Sequence, residues 1–487
     1  MPSFTYHSHD QQFRISIVTP AQALTKVTAS PGMESQMNAV RSMMADHESR
    51  FEELGNLTAE PFLVPQKKAA GVSLVATETL VVEGASLVTL RKLKSKFGME
   101  VLREGTFEKL LLRNSNLAGE DAIKNAFECA NFAYEQTQAS GAHPNFVRLM
   151  EHTFRKSQSS PESVSPLPWW NHLNNGLIGV RGADSSARAA WTITRGHPDI
   201  RVAVLDEGVD VNHPDLRDSV VAQKDFVDNH ATAAPNGDDA HGTACSGIIV
   251  GRGNEYPGMT QCSLVAVRIA KGYGNGYWAF DDFKTAEAID WSWNDAKADV
   301  LSNSWGGGLA VDAITNAFER ARKKGRNNKG AVIAIAAGNS DGPVQYPASL
   351  PNMLCVGASN EWDERKSKTS RDHETWWGSC FGPEMQIVAP GVHIATTDIS
   401  GSAGYGSGNY VLTFNGTSSA TPQVAAAAAL ILSVAPGLKE AEVRQILTSE
   451  AAKMKGNGKL DPNRRWNKEM GWGRLDIHAA LRRALHS

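Results

Sequence analysis

The sequence lacks the features that mark several large classes of protein. Its net charge of −3 gives no excess of positive charge for nucleic acid or an anionic membrane. Its longest apolar run, residues 424–435, is too short to cross a bilayer. It has an odd number of cysteines, with no C-x-x-C pair and no zinc spacing: Cys129, Cys245, Cys262, Cys355 and Cys380. We therefore expect buried free thiols in a soluble globular protein, with neither nucleic acid nor a membrane as a partner.

The N-terminal segment also lacks the pattern of a secretory signal. Residues 1–14 are polar and contain no basic start followed by an apolar stretch. We therefore expect a cytoplasmic protein, or one that leaves the cell by a non-standard route. A chain of 487 residues is long enough for one large α/β domain preceded by a smaller one.

The most informative stretch that is present is residues 415–422, Asn-Gly-Thr-Ser-Ser-Ala-Thr-Pro. Gly416 allows a sharp turn, and the Ala-rich apolar run after it predicts a buried helix. Ser418 then lies in the first turn, where free N–H groups and the helix dipole favour a developing negative charge. This position suits a nucleophile, although an ordinary serine at a helix N-terminus gives the same local pattern.

Two further segments supply an acid and a base. Residues 202–206 form an apolar strand pattern that ends in Asp206, and His241 opens a helix of small residues. With Ser418 they give the chain order Asp, His, Ser. That is the order in subtilisin, and it differs from the orders in chymotrypsin and the α/β-hydrolases.

From about residue 169 to residue 485 the sequence resembles the subtilisin-like serine proteases, the subtilases of S8 type. The resemblance rests on six short segments in the family's order: residues 206–208, 213–216, 241–243, 304–306, 336–339 and 416–418. It implies a serine endopeptidase that acts on protein or peptide substrates, with Ser418 as nucleophile, His241 as base and Asp206 orienting the histidine. The chemistry requires no cofactor. Family members often carry structural calcium, but no compact acidic loop identifies its ligands, and we predict no metal ligand.

The resemblance also implies residues that bind the substrate. Asn339 is expected to donate a hydrogen bond to the oxyanion beside the Ser418 backbone N–H. Two Gly-containing segments are expected to hold the substrate backbone as an added strand: Gly274, Asn275 and Gly276 on one side, and Ser304, Trp305 and Gly306 on the other.

Two positions depart from the family pattern. Ser419 stands where methionine is usual, and Glu207 stands where threonine or serine is usual. For Glu207 two interpretations are open. It contacts a Lys or Arg of the substrate, as the acidic residue of the kexin-like branch does, or it caps the turn in which it lies or points to solvent.

The fold predicted from residue 187 onward is α/β, because strands and helices alternate. We expect a subtilisin-like parallel sheet with helices on both faces, built from strands at residues 201–205, 264–269, 300–303, 331–336, 353–357 and 386–388. Asp206, Ser304 and Asn339 each follow the end of a strand, where sites in parallel sheets lie.

Residues 72–150 predict a smaller α+β unit with the ferredoxin-like order strand, helix, strand, strand, helix, strand. It resembles the inhibitory propeptide of subtilases, and an unrelated ferredoxin-like module is the alternative. We divide the chain into an extension at 1–70 with an amphipathic helix at 33–54, a propeptide-like domain at 71–150, a Ser/Pro-rich linker at 151–168 and a peptidase domain at 169–487.

This division predicts a self-inhibited precursor that uses its own N-terminal domain as an intramolecular inhibitor and is cut between residues 147 and 169. A processing protease or a peptide ligase of the same fold is an alternative, since an amine can resolve an acyl-enzyme in place of water. An inactive binding relative is the alternative from another class, and intact Asp206, His241, Asn339 and Ser418 argue against it.

Overall fold

The structure is a computed structural model, and it describes residues 3–8, 11–16, 62–64, 72–151, 169–272, 277–454 and 466–487. The predicted amphipathic helix at 33–54, nearly all of the linker and the segment Gly274–Gly276 lie outside these ranges. The strands are β1 (Ser3–Ser8), β2 (Gln11–Ser16), β3 (Phe62–Val64), β4 (Val72–Glu83), β5 (Glu100–Glu104), β6 (Lys109–Arg113), β7 (Gly141–Glu151), β8 (Arg201–Asp206), β9 (Val220–Asp225), β10 (Ser263–Arg268), β11 (Lys271–Gly272), β12 (Tyr277–Asp281), β13 (Val300–Asn303), β14 (Val332–Ala336), β15 (Leu354–Ser359), β16 (Ile387–Pro390), β17 (Ile394–Thr397) and β18 (Tyr410–Phe414). The α-helices are α1 (Leu87–Phe97), α2 (Gly119–Gln136), α3 (Ala187–Ala190), α4 (His241–Val250), α5 (Asp282–Asn294), α6 (Asp312–Asn328), α7 (Thr417–Val434), α8 (Glu440–Ser449) and α9 (Ile477–Ala484).

The chain forms two compact units that do not follow its linear order. Unit 1 consists of Met1–His152, Ala270–Ile289 and Gly308–Ala317. Unit 2 consists of Thr153–Ile269, Asp290–Gly307 and Phe318–Ser487. Unit 1 therefore includes two segments from the part of the sequence that we assigned to the peptidase domain.

The centre of unit 2 is a seven-stranded sheet in the order β16-β15-β14-β13-β8-β10-β9, in which every neighbouring pair is parallel. It contains all six strands predicted from the sequence, which confirms the expected α/β fold. The sequence analysis missed β9, because half of the residues of this edge strand are polar and most are only partly buried. Strands β8, β13 and β14 are neighbours, so their carboxyl ends share one edge of the sheet.

Helix α7 lies in the core of unit 2. It packs against strands β13 to β16, and it is buried continuously from Thr417 to Leu432. Within the described residues it is the one helix long and apolar enough to span a membrane, and 89% of it is buried inside the protein. Its all-round apolar surface is thus explained by its contacts with the sheet and its neighbouring helices.

Unit 1 contains the predicted ferredoxin-like arrangement, β4-α1-β5-β6-α2-β7, with the antiparallel strand order β7-β4-β6-β5. Ser86 caps α1 by accepting a hydrogen bond from the Thr89 N–H, and Gly98 ends the helix in the left-handed conformation. Helices α1 and α2 cover a core of small and aliphatic side chains: Leu80, Val82, Leu93, Leu112 and Ala126. The expected smaller α+β unit is confirmed.

Unit 1 also extends this sheet with a strand from the second of its segments. Strand β7 pairs antiparallel with β12, with Val147 opposite Asp281 and Met150 opposite Trp278. The edge of β7 is therefore covered rather than left open, which removes a site for unwanted strand pairing.

Two ion pairs within unit 1 are almost completely buried. Lys109 Nζ lies 2.6 Å from Glu287 Oε1, and Arg148 Nε lies 2.5 Å from Asp282 Oδ1. Arg148 also donates to the Leu309 carbonyl at 2.9 Å. Since an unpaired buried charge costs several kcal/mol, each of these residues requires its partner (about 3–5 kcal/mol for loss of one partner).

All five cysteines are buried and free, as the odd number and lack of pairing motifs predicted.

Candidate active site

The candidate acid and base lie in direct contact. Asp206 is the last residue of β8 and its side chain is fully buried, while His241 is the first residue of α4. The Nδ1 atom of His241 lies 2.9 Å from Asp206 Oδ1 and 3.0 Å from Oδ2. A carboxylate bound to Nδ1 fixes this ring nitrogen as the donor, so Nε2 is the nitrogen that can accept a proton.

The start of α4 is held tightly against the turn after β8. Glu207, of which only 1% is exposed, accepts a hydrogen bond from the His241 backbone N–H at 2.8 Å. A Cβ atom on Gly242 would lie 2.2 Å from the Gly208 carbonyl oxygen, so this approach requires glycine. Glu207 therefore neither points to solvent nor caps only its own turn, because its carboxylate satisfies a free N–H at the start of α4. Its contact with a Lys or Arg of the substrate stays a prediction.

The charge of Asp206 dominates the electrostatics of His241. Burial by itself lowers the pKa of His241, but the adjacent Asp206 carboxylate outweighs burial and raises that pKa well above its ordinary value. The Asp206 carboxylate therefore stabilises the imidazolium that forms when His241 accepts a proton.

Ser418 is the second residue of α7, after a turn that only glycine adopts without strain. Gly416 has a φ of +110°, and the Oγ atom of Ser418 lies 3.3 Å from the Ser304 carbonyl oxygen. Pro422 has no N–H, so the carbonyl of Ser418 lacks the usual bond from four residues along the helix. Ser304 Oγ donates to that carbonyl at 3.0 Å instead, and the Cys245 thiol lies 3.5 Å from it.

Cys245 contacts both the candidate base and the candidate nucleophile. Its sulfur lies 3.9 Å from His241 Nδ1 as well as 3.5 Å from the Ser418 carbonyl oxygen. Burial raises the pKa of Cys245, which keeps it a neutral thiol. The sequence analysis treated Cys245 only as a buried cysteine. Its spacing of four residues from His241, on the same helix face, is the signal that was available.

Asn339 is oriented by the residue before Ser418. The Thr417 backbone N–H and hydroxyl donate to Asn339 Oδ1 at 2.8 and 2.9 Å. Because an N–H must face an acceptor, these contacts fix the oxygen toward Thr417 and leave Nδ2 as the donor end of the amide. This orientation suits the predicted oxyanion role, which stays a prediction.

The second predicted substrate segment follows β13 directly. Ser304 contacts Ser418, while the side chain of Trp305 is 2% exposed and stacks on Phe318 with 6.0 Å between ring centroids. A Cβ atom on Gly306 would lie 2.8 Å from the Tyr346 carbonyl oxygen. Only the backbone of this segment is therefore suited to pairing with a substrate, and its binding role stays a prediction.

Among the described residues, two groups of side chains have the composition of a metal site. One is Asp206, His241 and Cys245, whose contacts are those given above. The other is Asp225, Asp228 and His230. Arg268 Nη1 lies 2.9 Å from Asp225 and 2.8 Å from Asp228, so both carboxylates already share a guanidinium partner. Neither group fits calcium, which prefers several oxygen ligands, and we assign no metal ligand.

Comparison with known proteins agrees with the geometry. The model of the subtilase family matches residues 197–473. Thermitase of Thermoactinomyces vulgaris is 32% identical over 277 residues, which cover 56% of this chain and 88% of thermitase. The chain belongs to the subtilase family.

Longer relatives and solved structures match over more of the chain. A calcium-dependent protease of Trichormus variabilis is 31% identical over 385 residues, which cover 70% of this chain and 54% of the relative. The chain thus spans about half the length of that relative. The crystal structure of fervidolysin from Fervidobacterium pennivorans shares the fold, with a TM-score of 0.60 at 22% identity, over 86% of this chain and 62% of fervidolysin.

Proposed function

We propose that this protein is a serine endopeptidase that hydrolyses protein or peptide substrates through an acyl-enzyme. The observation that carries the proposal is the buried pair of Asp206 and His241, 2.9 Å apart, which Cys245 links to the backbone carbonyl of Ser418 at the start of a buried helix. Membership of the subtilase family supports the same reaction.

In the proposed reaction the Oγ atom of Ser418 attacks the carbonyl carbon of the scissile bond while its proton passes to His241 Nε2. Asp206 stabilises the imidazolium, and the Ser418 N–H and Asn339 Nδ2 bind the oxyanion. The C–N bond then breaks, and the leaving amine takes the proton from Nε2. Water adds to the acyl-enzyme by the same proton transfers in reverse, which releases the acid and restores Ser418.

The proposal includes synthesis as a self-inhibited precursor, with unit 1 supplying the inhibitor. The ferredoxin-like arrangement in unit 1 supports it, as does the pairing of β7 with β12. Strand β12 directly follows the predicted substrate segment Gly274–Gly276 in the sequence. A strand such as β7, which pairs with the chain next to this segment, is paired in the way that an extended substrate is expected to pair.

A fluorophosphonate probe tests the nucleophile. We expect the wild-type chain to be labelled at Ser418 and to cleave a protein substrate. Ser418→Ala should do neither while keeping its fold, since it removes one hydroxyl and no core volume. Ser433→Ala is the matched control, because Ser433 lies near the opposite end of the same helix. Its hydroxyl donates to the Ala429 carbonyl at 2.8 Å and accepts from the His197 backbone N–H at 3.0 Å. A folded wild type that has been cut between residues 147 and 169 and still neither labels nor cleaves would identify an inactive binding relative, since an uncut precursor would be silent through self-inhibition.

A further inference from the structure

The turn before Ser418 is held by Asn339 and also by residues that take no part in the proposed reaction. Asn415 is 3% exposed, and its Nδ2 donates to Glu374 Oε1 at 3.0 Å. The next residue, Gly416, donates its N–H to the Gly391 carbonyl at 2.9 Å. Asn339 holds the far end of the same turn through Thr417. The turn is thus fixed at three consecutive residues.

Glu374 is itself held by a histidine between two buried carboxylates. The Nε2 atom of His393 lies 3.6 Å from Glu374 Oε1, and its Nδ1 lies 3.2 Å from Glu361 Oε1. Trp377 Nε1 donates to the other oxygen of Glu374 at 2.5 Å. His393 lies two residues after Gly391, whose carbonyl accepts the hydrogen bond from Gly416.

The three carboxylates of this cluster, Glu361, Glu374 and Asp372, outnumber its cations, Lys366 and His393, even when His393 is protonated. Burial lowers the pKa of His393, but Glu361, Glu374 and Asp372 together outweigh burial and raise the pKa above its ordinary value. Asp372 is in turn paired with the fully buried Lys366, 3.1 Å away. Burial raises the pKa of Glu374, and the charge of His393 is the largest effect that opposes this rise and favours the carboxylate.

The surrounding segment is fixed by the same kind of contact. Lys366 Nζ donates to the backbone carbonyls of Glu374 at 2.5 Å and Trp377 at 3.1 Å. Asn360 Nδ2 donates to Asp372 at 2.8 Å. A buried network of this kind restricts its members to one geometry, because each lost contact would leave a further unpaired polar group beside Glu361 Oε2 and Asn415 Oδ1, which already have no hydrogen-bond partner.

We propose that His393 and Glu374 are positioning residues for Ser418. The imidazolium of His393 fixes the Glu374 carboxylate, the carboxylate fixes Asn415, and the turn from Asn415 to Thr417 sets the position of Ser418 and its backbone N–H. The inference rests on the proposed function, and it assigns these residues no contact with substrate. A nucleophile displaced by about 1 Å can lose about a hundredfold in rate, so such an anchor has a measurable effect.

The test compares Asn415→Ala, His393→Gln and the double variant, with Ser418 titrated by a fluorophosphonate so that the rate is expressed per reactive site. We expect each single variant to lower kcat by about tenfold or more with KM changed by less than about twofold, because turnover and not substrate binding depends on the position of Ser418. We expect the double variant to be no slower than the slower single variant, since both act through one chain of contacts.

The matched control is Glu440→Gln. Glu440 is also a buried carboxylate in unit 2, paired with Arg322 and Arg444, and it contacts none of the site residues. We expect this control to lower thermal stability without changing kcat per titrated site. A kcat within twofold of the wild type in both single variants, or losses that multiply in the double variant, would overturn the proposal. If His393→Gln does not fold, Asn415→Ala alone decides between these results. A wild type that does not label would overturn the proposed function instead.

Discussion

At the scale of single residues, the site depends on how buried charges are paired. Asp206 has no exposure to solvent, and its one buried cationic partner in the proposed reaction is the protonated His241. The Asp206 carboxylate stabilises the protonated form of His241, which assists proton transfer from Ser418. The same effect keeps His241 protonated at low pH, where it cannot act as a base.

This pairing predicts the pH dependence of the reaction. Because the pKa of His241 is raised, the neutral base forms only as the pH rises above the ordinary histidine value of 6.5. We expect kcat/KM to increase with pH along a limb whose midpoint lies above 6.5. Asp206→Asn should lower kcat strongly and move that limb to lower pH, since burial then acts on His241 without the carboxylate.

Asp210→Asn is the control for this profile. Asp210 is a neighbouring carboxylate whose oxygens accept backbone hydrogen bonds from Asn212 and Ser400, not from His241. It should leave the midpoint unchanged. An acid limb at or below 6.5 in the wild type would contradict the raised pKa.

A second residue-scale prediction concerns the oxyanion. Asn339→Asp keeps an oxygen that accepts from Thr417 but loses the Nδ2 donor, whereas Asn339→Ala loses both. Removal of one oxyanion donor in a subtilisin lowers kcat by about 10²–10³, and we expect a similar loss in Asn339→Ala. Asn339→Asp should be at least as slow, because its carboxylate repels the oxyanion. Steady-state kinetics on a peptide ester and amide would measure both, and an unchanged kcat in Asn339→Asp would contradict the donor role.

At the scale of secondary-structure elements, the site forms where the first residues of two helices lie beside the ends of two strands. Helix α4 begins against the end of β8, and α7 begins beside β13, where Ser304 replaces the bond that Pro422 removes from the Ser418 carbonyl. These contacts depend on backbone approaches that a side chain would prevent.

Gly242→Ala tests the approach of α4 to the β8 turn. Its Cβ would lie 2.2 Å from the Gly208 carbonyl oxygen and 2.9 Å from the Asp206 Cβ, so the helix start must move. We expect a loss of roughly 1–3 kcal/mol in stability and a large loss of activity, since His241 moves with the helix. Gly437→Ala is the control, because a Cβ there meets nothing within 4 Å. Thermal denaturation in the Ser418→Ala background would avoid self-digestion, and equal stabilities for the two variants would refute the packing argument.

At the scale of the whole molecule, the linear order of the chain and its compact units differ. Unit 1 combines the N-terminal α+β arrangement with residues 270–289 and 308–317, and its buried pairs Lys109–Glu287 and Arg148–Asp282 join these segments. A cut in the chain after β7 therefore need not release the N-terminal part at once.

This arrangement predicts the course of maturation. We expect the purified wild type to cut itself between residues 147 and 169, and the Ser418→Ala chain to keep its full mass under the same conditions. Intact mass spectrometry would identify the cleaved bond, and size-exclusion chromatography would show the fragments still together. Arg148→Ala should separate them more readily, because it leaves Asp282 buried without its partner. A wild type that is fully active at its full mass would show that no cut is required.

Much of the fold and the candidate site was determined by the sequence alone. Apolar strand patterns predicted six of the seven strands of the parallel sheet. The candidates Asp206, His241, Asn339 and Ser418 lie at strand ends and helix starts, and their roles came from the resemblance to the subtilases. These signals are local, since they depend on periodicity, glycine turns and the chemistry of helix ends. The sequence analysis missed strand β9 because this edge strand has no continuously buried face and so lacks a clear apolar pattern.

Only the tertiary structure decided which distant side chains meet. Cys245 contacts Ser418 across 173 residues, Glu374 contacts Asn415 across 41, and Arg148 pairs with Asp282 across 134. The physical reason is that a buried polar group is stable only beside a partner, and the partner is whichever group the fold places next to it. Spacing along the sequence does not show which group that is. The sequence analysis also did not predict that Glu207 caps the start of α4, because the His241 N–H that it accepts from lies 34 residues further along the chain.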